Sequence, residues 1–359
     1  MGLHYFSKCL NKSRIMLTVQ NDKEIKQFLM NLFPNGLHNL KYIGIDGSIF
    51  FHAYIVQGQK DGTVDIKASA EKIRNIICAY FNTLYSLLNN NNNEHNQCHM
   101  ILHFVMDGKA MYSKNRDKKK PDIFSTLSSH EKLSLEKCTI TLLKQYLENY
   151  RNVFLLSTES LPFEQRHEGE IILYRFITKI LNNDARYIII SNDSDITAMS
   201  ILRGDRHIMF VNPPFTQTYI GLNSYNHILI SLQMTPQQLF RLTILYFIFF
   251  GSDYNLGLIS CWTQSKHDIL KTAILQGETD LVSIFNRMRR CRSIKNEAII
   301  WKEFGNVVTY QDYLTLFKII VYEAVKSVLY YKSLGRMKPS SLNLYTNDLI
   351  RTLTKTIKL

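Results

Sequence analysis

The chain has 359 residues, 45% of them hydrophobic and 20% charged, and its 43 Lys+Arg against 30 Asp+Glu leave a formal net charge of +13. That length can bury a core without disulfide or metal staples, and that balance excludes a disordered or fibrous chain; one large domain, or two sharing an interface, fits. The surplus of positive charge points to a polyanionic partner, nucleic acid ahead of an anionic membrane surface.

No charged-then-apolar leader opens the sequence, and Phe6 stands where N-myristoylation of Gly2 would need Ser or Thr, so an intracellular protein is expected. The first β-rich run is Leu40–Asp46, followed by a helix over Ser69–Leu88 with Ser69 as its N-cap. The Asn89–Asn96 stretch is a polar spacer with nothing to bury. Strand signals return at His99–Asp107, Asn152–Ser157, Tyr187–Asp193 and His207–Val211, separated by helical periods at Leu133–Tyr150, Glu170–Leu181 and Thr235–Phe250. The longest apolar stretch, Leu239–Phe250, carries Arg241 and falls short of the roughly 20 residues a bilayer span needs; it reads as a buried helix, with no membrane partner. After about residue 254 the β signals fade and the pattern is helical to the end. Alternating strands and helices predict an α/β fold, a parallel sheet with helices on both faces, whose ligands sit at the carboxyl ends of the strands. The six cysteines are scattered without a Cys-x-x-Cys pair, which argues against a zinc site or a disulfide framework.

The chemistry lies in the acids. Asp46 and Asp107 each close an apolar run and precede a glycine, so each carboxylate should emerge at a strand tip. Asp193 and Asp195 follow Tyr187–Ile190 as the chain turns into a helix, Glu168 and Glu170 open the helix that runs to Leu181, and Asp253 follows the buried apolar helix. One strand-end aspartate is as often a turn former or helix N-cap as a ligand. The set is harder to explain that way, because like charges gathered at one sheet edge repel and raise one another's pKa unless a cation offsets them. Oxygen-only ligands suit Mg²⁺, with Mn²⁺ able to substitute, and two such ions roughly 3.5–4 Å apart would serve an in-line displacement at phosphorus.

In this order the motifs Met1-Gly2, Asp46-Gly47-Ser48, Asp107-Gly108, Glu168-Gly169-Glu170, Asp193-Ser194-Asp195 and Gly251-Ser252-Asp253-Tyr254 resemble those of the flap endonuclease superfamily of 5′ nucleases, over residues 1 to about 275. The resemblance implies a PIN-like core over 1–254 with a helical arch at about 108–150, then a helical subdomain over 255–359 holding a degenerate helix-hairpin-helix. It assigns Asp46, Asp107, Glu168 and Glu170 to one Mg²⁺ and Asp193, Asp195 and Asp253 to the other, with Glu170 between them. It also places Lys114 at the scissile phosphate; where a second Arg is expected the chain has Pro121, leaving Lys120 or Arg116 to substitute.

The basic run Lys109, Lys114, Arg116, Lys118, Lys119 and Lys120 reads as a phosphate grip, a solvated loop or a nuclear localisation run, the last favouring nucleus over cytoplasm. By the resemblance Gly2 and His52 join the nucleic-acid site, His52 as a ring that stacks on a terminal base, with Phe50 and Phe51 beside it in the core. The glycine pattern after Asp253 is eroded, which weakens the expected grip on duplex. No clamp-binding motif stands near the C-terminus, and a monomer is expected. The leading function is a Mg²⁺-dependent, structure-specific 5′ nuclease on DNA with a 5′ flap or free 5′ end, in replication or repair. The rivals are a 5′–3′ exoribonuclease-like or mRNA-degrading enzyme and a non-catalytic nucleic-acid-binding relic. The Asn-, Ile-, Lys- and Tyr-rich composition is compatible with an AT-rich genome such as that of a large DNA virus.

Overall fold

A computed structural model of the chain describes residues 6–10, 15–18, 40–58, 63–89, 100–108, 123–160, 168–180, 186–205, 208–212, 219–251, 262–278 and 280–290. The elements in chain order are α1 (Phe6–Leu10), β1 (Ile15–Thr18), β2 (Leu40–Asp46), α2 (Gly47–Tyr54), α3 (Ile66–Asn89), β3 (Met100–Val105), α4 (Ile123–Thr126), α5 (Ser129–Leu147), β4 (Val153–Ser157), α6 (Gly169–Ile180), β5 (Arg186–Ile190), α7 (Ser194–Arg203), β6 (Ile208–Asn212), β7 (Tyr219–Ser224), α8 (Tyr225–Leu232), α9 (Pro236–Phe250), α10 (Gln264–Leu275) and α11 (Leu281–Arg290).

Among the described residues seven strands lie in the order β1-β7-β6-β5-β2-β3-β4. The pairs among β6, β5, β2, β3 and β4 are all parallel, while β7 and β1 are added antiparallel beyond β6. Side-chain alternation divides the sheet into two apolar faces. Tyr42, Tyr187, Ile189, Ile208 and Phe210 pack with α1 and α6–α11, whereas Ile43, Ile45, Leu102, Phe104, Ile188 and Ile190 pack with α2–α5. Both faces are therefore covered by helices. Full burial of Ile188, Ile189 and Ile190 in succession explains why β5 reads as an unbroken apolar run, each side chain contributing roughly 1.5–3 kcal/mol.

Helix ends refine the sequence reading. α3 begins before Ser69: Asp65 Oδ1 accepts the Ala68 N–H at 2.9 Å and takes the capping role, while the buried Ser69 hydroxyl accepts the Val56 N–H at 2.9 Å. α5 begins at Ser129, where Ser128 and Glu131 form a capping box. Thr235 and Gln238 form another at α9, whose residues Leu242–Phe250 are all buried. No helix among the described residues is long and apolar enough to cross a membrane. Among the described cysteines, Cys9 and Cys78 are buried and Cys138 half-buried, and none of the three is in a disulfide. α10 and α11 contribute Leu270, Ala273, Ile274, Ile284, Phe285 and Met288 to the same core as α9; the rest of the expected helical subdomain lies outside the described residues.

The strand order reverses direction at β2. Chain order runs β2, β3, β4 outward on one side and then returns to β5 and β6 on the other, so the carboxyl ends of β2 and β5 flank a topological switch point. Register aligns those ends, with Ile45 opposite Ile190 and Asp46 opposite Val105.

Candidate metal centre

Asp46 ends β2 at the N-cap position of α2, yet its side chain makes no capping hydrogen bond. The carboxylate is committed elsewhere. It is 5% exposed, and Oδ2 accepts the Ser191 hydroxyl at 2.9 Å across the switch point, while the buried Oδ1 has no hydrogen-bond partner. Burial first, and then the nearby charge of Asp107, push its carboxyl up to about 8; the Ser191 hydrogen bond works in the opposite direction and Asp193 raises it further.

Asp107 lies two residues past β3. Its own N–H donates to Ser48 Oγ at 3.0 Å, which fixes the backbone, and its Oδ1 accepts the Gly169 N–H at 2.8 Å. Gly169 is the hinge of the arrangement. A Cβ there would stand 3.1 Å from Asp107 Oδ1 and 3.6 Å from Asp46 Oδ1, so the two carboxylate oxygens face one point on the start of α6. A side chain at that point would fill the space between them. Glu168 and Glu170 flank this glycine, 3% and 5% exposed, and the Glu168 carbonyl starts α6 by accepting the Ile171 and Ile172 N–H groups, both at 3.1 Å.

Across the crevice, Asp193 is the N-cap of α7: its side chain accepts the Asp195 N–H at 2.9 Å, and its own N–H donates to Ser191 Oγ at 3.0 Å. The bland role expected of strand-end aspartates thus applies to one oxygen of Asp193. Asp195, in the first turn, is 2% exposed. Asp46, Asp107 and Asp193 therefore stand near one another at the switch point, while Glu168 and Glu170 flank Gly169 and Asp195 lies in the first turn of α7. Asp253 lies outside the described residues, as do Gly2, Lys114, Arg116, Lys118, Lys119 and Lys120. Among the described residues no three acid, His or Cys side chains close to the distances of a formed cation site.

Two features fit a divalent cation. A buried carboxylate oxygen without a donor, on an acid strained toward its neutral form, is relieved by a positive charge beside it. Every acid of the set is a hard oxygen donor, a chemistry that fits a divalent cation.

His52 is exposed on α2, its ring meeting the Phe124 ring edge-on with centroids 4.7 Å apart at 83°. Phe50 and Phe51 are fully buried. The hydroxyls of Ser191 and Ser48 were not assigned these bonds by the sequence, although Ser48 lies inside one acidic motif and Ser191 just ahead of another, each two residues from an aspartate.

The site defined here is an acidic crevice at the switch point of a three-layer α/β sheet. In chain path the protein is similar to two solved structures of the catalytic core of Rad2 in complex with DNA substrate, complexes II and III. The TM-scores are 0.46 and 0.45 at 15% and 17% identity, over 99% of this chain and 95% of that one. No family model and no curated protein matches the sequence.

Proposed function

We propose that the chain is a metal-dependent 5′ nuclease acting on DNA. The observation that carries this reading is the meeting of Asp46 and Asp107 over Gly169, with Glu168 and Glu170 beside them and Asp193 and Asp195 across the crevice. Asp46, Asp107, Glu168 and Glu170 would hold one Mg²⁺ and Asp193, Asp195 and Asp253 a second, with Glu170 between. Bound there, the ions would supply a water of lowered pKa and charge stabilisation for the leaving oxygen of a phosphodiester.

The protein's own groups prepare that chemistry. Ser191 ties down Oδ2 of Asp46, whose buried Oδ1 has no hydrogen-bond donor, while the Gly169 N–H fixes Oδ1 of Asp107. Such outer partners orient ligands and hold their geometry before substrate arrives. The surplus of basic residues, including Lys114 and the run to Lys120, would draw the polyanion to an otherwise acidic crevice. The exposed His52 offers a ring face that stacks on a terminal base without reading sequence.

Parallel digestion of 5′-labelled flap DNA and 5′-monophosphate RNA, with Mg²⁺ and with chelator, tests the reading. Mg²⁺-dependent release of the flap is expected. Degradation of the RNA alone would replace DNA with RNA as substrate, and binding without cleavage of either would leave a nucleic-acid-binding protein.

A further inference from the structure

The backbone behind Asp107 is held by a chain of hydrogen bonds that reaches into helix α5. β3 and β4 run in parallel register from Met100 opposite Val153 to Phe104 opposite Ser157. They then part: β3 continues to Asp107, and β4 winds into the 3-10 turn Thr158–Ser160. At the point of separation the Met106 N–H donates to Thr158 Oγ1 at 3.1 Å, a side chain standing in for the strand partner. The Thr158 hydroxyl hydrogen then goes to Glu136 Oε1 at 2.9 Å.

Glu136 is out of place by pattern. On α5 the buried stripe consists of Leu135, Glu136, Thr139, Ile140, Leu143 and Leu147, and Glu136 is 3% exposed within it. An apolar residue there would pack without desolvating a carboxylate. What Glu136 supplies and an apolar residue cannot is an acceptor that fixes the rotor of Thr158, itself 1% exposed, so that its oxygen faces Met106.

We propose that Glu136 and Thr158 are positioning residues for Asp107. They pin the backbone one residue before the carboxylate, while Ser48 pins the Asp107 N–H from the α2 side at 3.0 Å. Asp107 is thereby held from both flanks, and the seat of α5 on the sheet sets where the carboxylate points. The inference rests on reading Asp107 as a cation ligand.

Calorimetric titration of the full chain with Mn²⁺ alone, beside circular-dichroism melting, separates positioning from mere stability. Thr158→Val keeps the volume and removes both hydrogen bonds; Glu136→Leu removes the acceptor; Glu136→Gln retains it. Affinity for Mn²⁺ is expected to fall roughly 10–100-fold in Thr158→Val and Glu136→Leu and to stay within about threefold in Glu136→Gln. In cleavage assays of the first two, kcat should drop with KM for nucleic acid held. Folded Thr158→Val or Glu136→Leu protein that binds Mn²⁺ like the unaltered chain overturns the inference, as does Glu136→Gln losing as much affinity as Glu136→Leu. Amide hydrogen exchange of the unaltered protein gives a test free of folding defects: the Met106 N–H is expected to be as protected as that of Phe104, and exchange at the rate of an open amide overturns the proposal. Asp46→Asn is the control. If it binds Mn²⁺ normally, the cation site itself is misread; if it does not and Thr158→Val does, only this inference fails.

Discussion

Asp46→Asn is expected to abolish cleavage, by a factor on the order of a thousand in turnover, while making the metal-free protein more stable at alkaline pH. Both effects come from one carboxylate. It is 5% exposed, burial and Asp107 push its pKa up to about 8, and its Oδ1 has no hydrogen-bond partner. A carboxyl whose folded pKa exceeds its unfolded value favours the fold while protonated. Its contribution is full below the unfolded value of 3.8 and is lost as pH rises through about 8. Asparagine has no proton to lose and can still accept from Ser191. Denaturant melts without metal should show the variant ahead by roughly 1–3 kcal/mol at about pH 9 and by little at about pH 4. A variant equally or less stable at alkaline pH would mean that Asp46 is not held in a strained, charge-crowded state.

Gly47→Val should prevent stable folding, and Gly47→Ala should cost about 2–3 kcal/mol. A Cβ at this position would stand 2.5 Å from Phe104 Cζ and 2.8 Å from Met106 Sδ, both atoms belonging to buried side chains of the β3 end. The nearer of the two, the Phe104 ring, is fully buried, with the Phe51 ring centroid 6.1 Å from its own. Phe104 and Met106 also lead directly to Asp107, so relief of the clash would move the site. Gly277 provides the contrast: its φ of 71° is left-handed, but nothing lies within 4 Å of an added Cβ. Gly277→Ala should therefore cost only about 1 kcal/mol, from backbone strain alone. Equal losses at both positions in urea unfolding would contradict the packing argument.

The legible parts of the fold were those with local signals. Buried parallel strands are apolar on both faces, so β2, β3, β5 and β6 stand out as runs ended by polar residues, and the acids at their tips are visible in the sequence itself. The antiparallel strands β1 and β7 were not foreseen. β1 has four residues, and β7, though paired on both sides, mixes Gly221, Asn223 and Ser224 with its apolar positions, which breaks the apolar run that marks the parallel strands. At α3 the local signal pointed to Ser69 as the cap, but its hydroxyl accepts the Val56 N–H from elsewhere in the fold and Asp65 caps the helix instead. The hydroxyl braces could not be read at all, because they depend on strand register. Ser191 meets Asp46 from 145 positions away, and Thr158 meets Met106 from 52. Only the sheet brings them together.

Calorimetric titration of the metal-free chain with Mn²⁺ at several pH values tests most directly the claim that these carboxylates form a catalytic cation site. Binding is expected to displace the proton of Asp46, so affinity should climb about tenfold per pH unit toward neutrality and level off near the carboxyl's value of about 8, with the climb absent in Asp46→Asn. Affinity that is flat with pH and unchanged by Asp46→Asn would contradict the account.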